Sequence, residues 1–162
     1  MYLYTWLRQN DVDVVGIQEI DIYTMPILDE EYNFVINFTP LGTALVFRKS
    51  IGPTKIEKEP NGRVVKATFK DFCVTCVYGY LEGSYSHQTR KDLFSQKLPI
   101  YLVNNGFSNF LIGYFNSVID LQDRCASKEL GITLQGLVMN FNLVDVFRLL
   151  HPKARGFSFM GN

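Results

Sequence analysis

The sequence predicts an α+β layered domain with mixed β-sheets. Three observations carry that expectation. The first half is a series of short β-branched runs separated by Gly, Pro and Asn. A long stretch with helical spacing follows. One more short strand and a second helical stretch complete the pattern.

The elements follow in order. Met1–Asn10 carries apolar side chains at Leu3, Tyr4, Trp6 and Leu7 followed by Arg8 and Gln9, which suits the last turns of an amphipathic helix. Asn10-Asp11 breaks it. Val12–Ile17 is then a nearly continuous apolar run, the mark of a strand buried on both faces, and Gln18-Glu19 follows at its carboxyl end. Further strands are expected at Asn33–Phe38, Thr43–Arg48, Thr54–Lys58, Arg63–Phe69 and Phe72–Gly79. Asn61-Gly62 between two such runs signals a hairpin, because both residues tolerate positive φ.

A helix is expected over Ser86–Asn104, with Leu93, Phe94, Leu98, Tyr101 and Leu102 inward and Pro99 kinking or dividing it. Asn109–Ile112 reads as a short strand ending at Gly113-Tyr114-Phe115-Asn116. A second helix is expected around Ser127–Asn140, with a Val144–Leu149 segment after it. There is no repeat and no linker, so a single domain over 1–162 is the expectation.

Composition narrows the classes. An apolar content of 47% supports a real core, and 16 basic against 16 acidic residues give no net charge. A protein that coats DNA would carry a large basic excess, so any grip on nucleic acid must be local. No apolar run approaches the roughly 18 residues of a membrane span, and no basic, then apolar leader opens the chain. An intracellular site is the expectation.

Cys73 and Cys76 have the C-x-x-C spacing of a zinc or redox pair, with Cys125 the third cysteine. On a strand, residues three apart point to opposite faces. Buried hydrophobes in a reducing compartment are therefore expected, not a metal site.

Three residues could carry chemistry. Glu19 at a strand end could hold Mg²⁺, which takes one or two carboxylates and keeps most of its waters, or be a solvated acid. Asn116 could orient a phosphate or a water, or cap a turn. Tyr78 could donate to a phosphate, or be a half-buried aromatic. Their order along the chain adds weight. Asp13-Val14-Val15-Gly16-Ile17-Gln18-Glu19 is followed by Gly42-Thr43-Ala44, Gly62-Arg63, Val77-Tyr78 and Ile112-Gly113-Tyr114-Phe115-Asn116. Asp145-Val146-Phe147-Arg148, His151-Pro152 and Phe157-Ser158-Phe159 come last.

This succession resembles the endonuclease/exonuclease/phosphatase superfamily (DNase I-like), and most of all the apurinic-type endonuclease of LINE (non-LTR) retrotransposons. The resemblance runs from about Leu7 to Phe159. It implies an incomplete four-layer αββα sandwich with two mixed β-sheets flanked by helices, and a Mg²⁺-dependent hydrolase cutting DNA in the nucleus, with no named protein partner; no membrane is expected. Glu19 matches the family's metal-binding glutamate, Tyr78 its phosphate-approaching tyrosine and Asn116 its water- and phosphate-orienting asparagine. Asp145 and Arg148 match a structural segment, and Asp123-Arg124 a loop pair.

Two departures stand out. Tyr114 occupies the place of the aspartate that activates water. A carboxyl near pKa ~4 accepts at neutral pH, whereas a phenol near ~10 donates. The family's opening asparagine strand and closing Ser-Asp-His motif have no counterpart, and neither His87 nor His151 matches the catalytic histidine. The expectation is a fragment truncated at both ends, degenerate, and inactive or weak. The alternatives are a truncated version of a working phosphoesterase and a non-catalytic interaction remnant.

Overall fold

A computed structural model describes residues 2–20, 29–38, 42–81, 86–103, 106–120, 123 and 131–154. It divides into two units, Met1–Gly79 with Tyr101–Tyr114, and Tyr80–Ile100 with Phe115–Asn162.

In the first unit, helix α1 (Tyr2–Gln9) precedes β1 (Val14–Ile20), β2 (Tyr32–Asn37), β3 (Gly42–Arg48), β4 (Lys55–Lys58), β5 (Val64–Thr68), β6 (Phe72–Tyr78) and β7 (Ser108–Tyr114). They form two sheets, ordered β1-β3-β2 and β4-β5-β6-β7. The described pairs of the first sheet are antiparallel. Mixed character lies in the second, where β6 and β7 run parallel.

Alternation along β3 explains the layering. Leu45 and Phe47 pack with Val35, Val65, Ala67, Phe69, Val74 and Cys76 into a core between the sheets. Val46 packs on the opposite face with Tyr4 and Leu7 of α1 and with Tyr32. Trp6 of α1 instead faces solvent. Gly16 lets β1 approach the second sheet, since a Cβ there would come within 2.7 Å of Cys76 Sγ and 3.0 Å of Ile112 Cδ1. On the outer side of β5, Lys66 Nζ donates to the Tyr101 carbonyl at 2.7 Å.

The first strand departs from expectation. It begins at Val14, not Val12, and runs through Gln18 and Glu19 to Ile20. Its residues up to Gln18 are only half-buried, because among the described residues β1 lies at the edge of its sheet and β3 takes the buried centre. Strand β7 also continues past Ile112 to Tyr114. The hairpin expected at Asn61-Gly62 joins antiparallel β4 and β5, with Gly62 at φ 75°.

In the second unit the expected long helix is divided. Helix α2 (Ser86–Asp92) passes into a π-turn (Leu93–Lys97), and α3 (Leu98–Leu102) carries its last two residues into the first unit. Pro99, the second residue of α3, has no N–H to continue the α-helical ladder. Leu93, Phe94 and Leu98 are buried, and Phe94 stacks on Phe115 at 6.5 Å. Helix α4 (Ile132–Asn140) begins later than the expected Ser127, and 124–130 lie outside the described residues. The segment expected at Val144–Leu149 is helix α5 (Val146–Leu150), capped by the Asp145 carboxylate, which accepts from Arg148 N at 2.9 Å.

Candidate functional site

Three strand ends meet in the first unit. A bulge between Gln18 and Ile20 sets Glu19 at φ 59°, a conformation uncommon for a residue with a Cβ. The bulge leaves the Glu19 side chain exposed at the carboxyl end of β1. Glu19 is thus an element of the strand, not a residue beyond it.

Tyr78 ends β6 and is buried, 3% exposed. Its hydroxyl donates to Glu19 Oε1 at 2.8 Å. Burial raises the phenol above its ordinary range, and the bond to Glu19 acts in the same direction. Arg63 pulls the other way. The Arg63 guanidinium lies 4.3 Å from the centroid of the Tyr78 ring, a cation–π arrangement, and Tyr78 N donates to the Arg63 carbonyl at 2.8 Å.

Tyr114 ends β7 and is the strand partner of Tyr78. The two rings stack with centroids 6.4 Å apart and planes 20° from parallel. Gly113 makes this possible: it has φ 136°, and a Cβ there would collide with the Val77 carbonyl. Behind the site, Gln18 Nε2 donates to Cys76 Sγ at 3.1 Å.

Of the residues expected from sequence, Glu19, Tyr78 and Tyr114 come together. Asn116 belongs to the second unit, where it takes φ 51°, which asparagine tolerates, and its carbonyl accepts from Arg90 Nη1 at 3.4 Å. In that unit Arg148 forms a close ion pair with Asp123 and donates to the Ala154 carbonyl at 2.8 Å. His151 lies against Phe147. Arg124, Cys125 and Phe157-Ser158-Phe159 fall outside the described residues, as does the side chain of His87.

Sequence reasoning missed a role for Arg63, although the Gly62-Arg63 pair lay within the motif series. Its signal was the hairpin, which places the residue after Gly62 in the turn just before β5.

The donor set is sparse. Among the described residues no three His, Cys, Asp or Glu side chains gather as a metal cluster. Cys73 and Cys76 are buried thiols on one strand. Burial pushes the Cys76 thiol up to about 11, against the pull of the Gln18 bond. This is the profile of an inert core cysteine.

The architecture is that of DNase I-like enzymes, α+β with two sheets flanked by helices. Among solved structures, the chain is similar to an AP endonuclease from Archaeoglobus fulgidus, at 19% identity and a TM-score of 0.77, over 97% of this chain and 71% of that one. It is similar to a 3′ phosphatase from Neisseria bound to a product DNA hairpin, at 19% and 0.78, over 95% and 70%. A 3′-5′ exonuclease from Neisseria meningitidis gives 20% and 0.79 over the same shares of the two chains, 95% and 70%. No family model and no curated protein matches the chain. Among the described residues, no helix is long and apolar enough to cross a membrane.

Proposed function

We propose that the chain is a phosphodiester-recognising domain on a DNase I-like scaffold, descended from a LINE-type endonuclease, with weak or absent hydrolysis and a nuclear site of action. The observation that carries this reading is the Tyr78–Tyr114 pair beside Glu19. The resemblance sets a water-activating aspartate at 114. Attack of water on phosphorus needs an acceptor for the proton, and a phenol donates where a carboxylate accepts. Its ring also fills space that a small anion would share with water.

Recognition of a phosphodiester keeps its support. Glu19, Tyr78 and Arg63 form an acid, a donor and a cation at one set of strand ends. Glu19 is the residue that would hold Mg²⁺, and one carboxylate is a workable share only when waters and phosphate oxygens supply the rest. The cation would neutralise charge at phosphorus. Asn116 is the proposed orienting side chain. DNA is the proposed partner, in keeping with a neighbour bound to a product DNA hairpin.

The test pairs duplex binding, read by fluorescence anisotropy, with nicking of a supercoiled plasmid in Mg²⁺. Salt-sensitive binding with nicking at background is the expected result. Robust nicking that disappears in Glu19→Ala would favour a working phosphoesterase and refute the inactive reading. A chain that shows no binding and no nicking would overturn the nucleic-acid reading altogether.

A further inference from the structure

Three buried polar side chains of the first unit take no part in the chemistry described so far. Asn37, Thr43 and Glu59 are 7%, 0% and 3% exposed. Groups of this kind destabilise a fold unless each finds a partner. Asn37 and Thr43 are strand partners at the end of the first sheet, and both reach across to the second. Asn37 Nδ2 donates to the Glu59 carbonyl at 2.6 Å and to the Val64 carbonyl at 2.8 Å. Thr43 donates its amide at 3.2 Å and its hydroxyl at 3.1 Å to the Gly62 carbonyl. Glu59 closes the turn from within, its Oε2 accepting the amides of Asn61 at 2.9 Å and Arg63 at 3.2 Å.

All of these bonds end on the turn 59–64, which joins β4 to β5 and carries Arg63. An arginine on a loose turn loses much of its attraction for a ring or a phosphate to side-chain and backbone entropy. Here the backbone on both sides of Arg63 is tied down, and its own carbonyl is bonded to Tyr78 N.

We propose that Asn37, Thr43 and Glu59 are positioning residues that clamp the β4–β5 turn to the first sheet, so that Arg63 is held over Tyr78 as the fixed cation for a phosphodiester. Its weight for phosphate recognition rests on the function proposed above; the clamping of the turn does not.

NMR of the chain labelled at arginine provides the test. Arg63 side-chain protons above the Tyr78 ring lie upfield through its ring current, and Tyr78→Leu identifies that shift by removing it. Asn37→Leu, which removes both donors at similar volume, is expected to lose the upfield shift as fully. Thr43→Val is expected to lose part of it, and Glu59→Gln, which keeps an accepting oxygen, to retain it. A folded Asn37→Leu chain with Arg63 still upfield overturns the proposal. Where Asn37→Leu does not fold, an unmoved Arg63 resonance in Thr43→Val overturns it equally. Inorganic phosphate, titrated against the same resonance, is expected to bind about tenfold more weakly once the shift is lost. Equal affinity would remove the phosphate role and leave the clamped turn standing, so the two failures are distinguishable.

Discussion

The Tyr78 hydroxyl bonds to Glu19 Oε1 at 2.8 Å and thereby joins the buried end of β6 to an exposed bulge on β1. The same carboxylate is the proposed metal ligand, so the phenol both orients it and takes up one of its oxygens. Burial, then Glu19, raises the phenol, so the folded state holds that proton more tightly than the unfolded chain does. The resulting stability is fully present below the unfolded value, about 10, and is lost as pH rises through the raised folded value. Melting temperature followed from neutral pH upward is expected to fall more steeply in the parent than in Tyr78→Phe. Parallel curves would show that Tyr78 does not carry this linkage.

Cys76 tests the burial of the inter-sheet core. Its thiol, pushed up to about 11 by burial, is a poor source of thiolate at neutral pH. Alkylation of the native chain, read peptide by peptide in a mass spectrometer, is expected to spare Cys73 and Cys76 and to modify both after denaturation. Modification of native Cys76 would contradict the packing described here.

Gly113 holds the two tyrosines in register. With φ 136° and the Val77 carbonyl in the path of any Cβ, Gly113→Ala must shift β7 against β6. A loss on the order of 3 kcal/mol or more in chemical denaturation is expected, beyond the range of ordinary surface substitutions. A change under about 0.5 kcal/mol would mean that the strand pairing at Val77 is wrong.

What the sequence made legible was local. Asn61-Gly62 declared its turn through residue chemistry alone, and Pro99 declared a break because its nitrogen has no hydrogen. Strand ends were harder. Gln18-Glu19 looks like the polar start of a loop, and only pairing with β3 keeps it in the strand as a bulge. Gly113 looks like a breaker, yet parallel pairing with β6 carries β7 through it. The apolar run Val12–Ile17 implied two buried faces, but its edge position depends on strand order, which no local pattern encodes.

The site followed the same division. Glu19, Tyr78 and Tyr114 were found through a resemblance in order and spacing, and strand register brings them together. Arg63 was missed because its place over Tyr78 depends on a turn clamped by Asn37 and Thr43, residues distant in sequence.

On the proposed reading, a phenol at position 114 withholds the proton acceptor that hydrolysis requires. Plasmid nicking in Mg²⁺ by the unmodified chain and by Tyr114→Asp, measured side by side, tests it most directly. Background cutting by the unmodified chain and a measurable gain in Tyr114→Asp are expected, short of the full gain of roughly 10²-fold or more for one acid–base group, because catalytic groups that act as a unit are not additive. Brisk Mg²⁺-dependent cutting by the unmodified chain, undiminished against Tyr114→Asp, would contradict it.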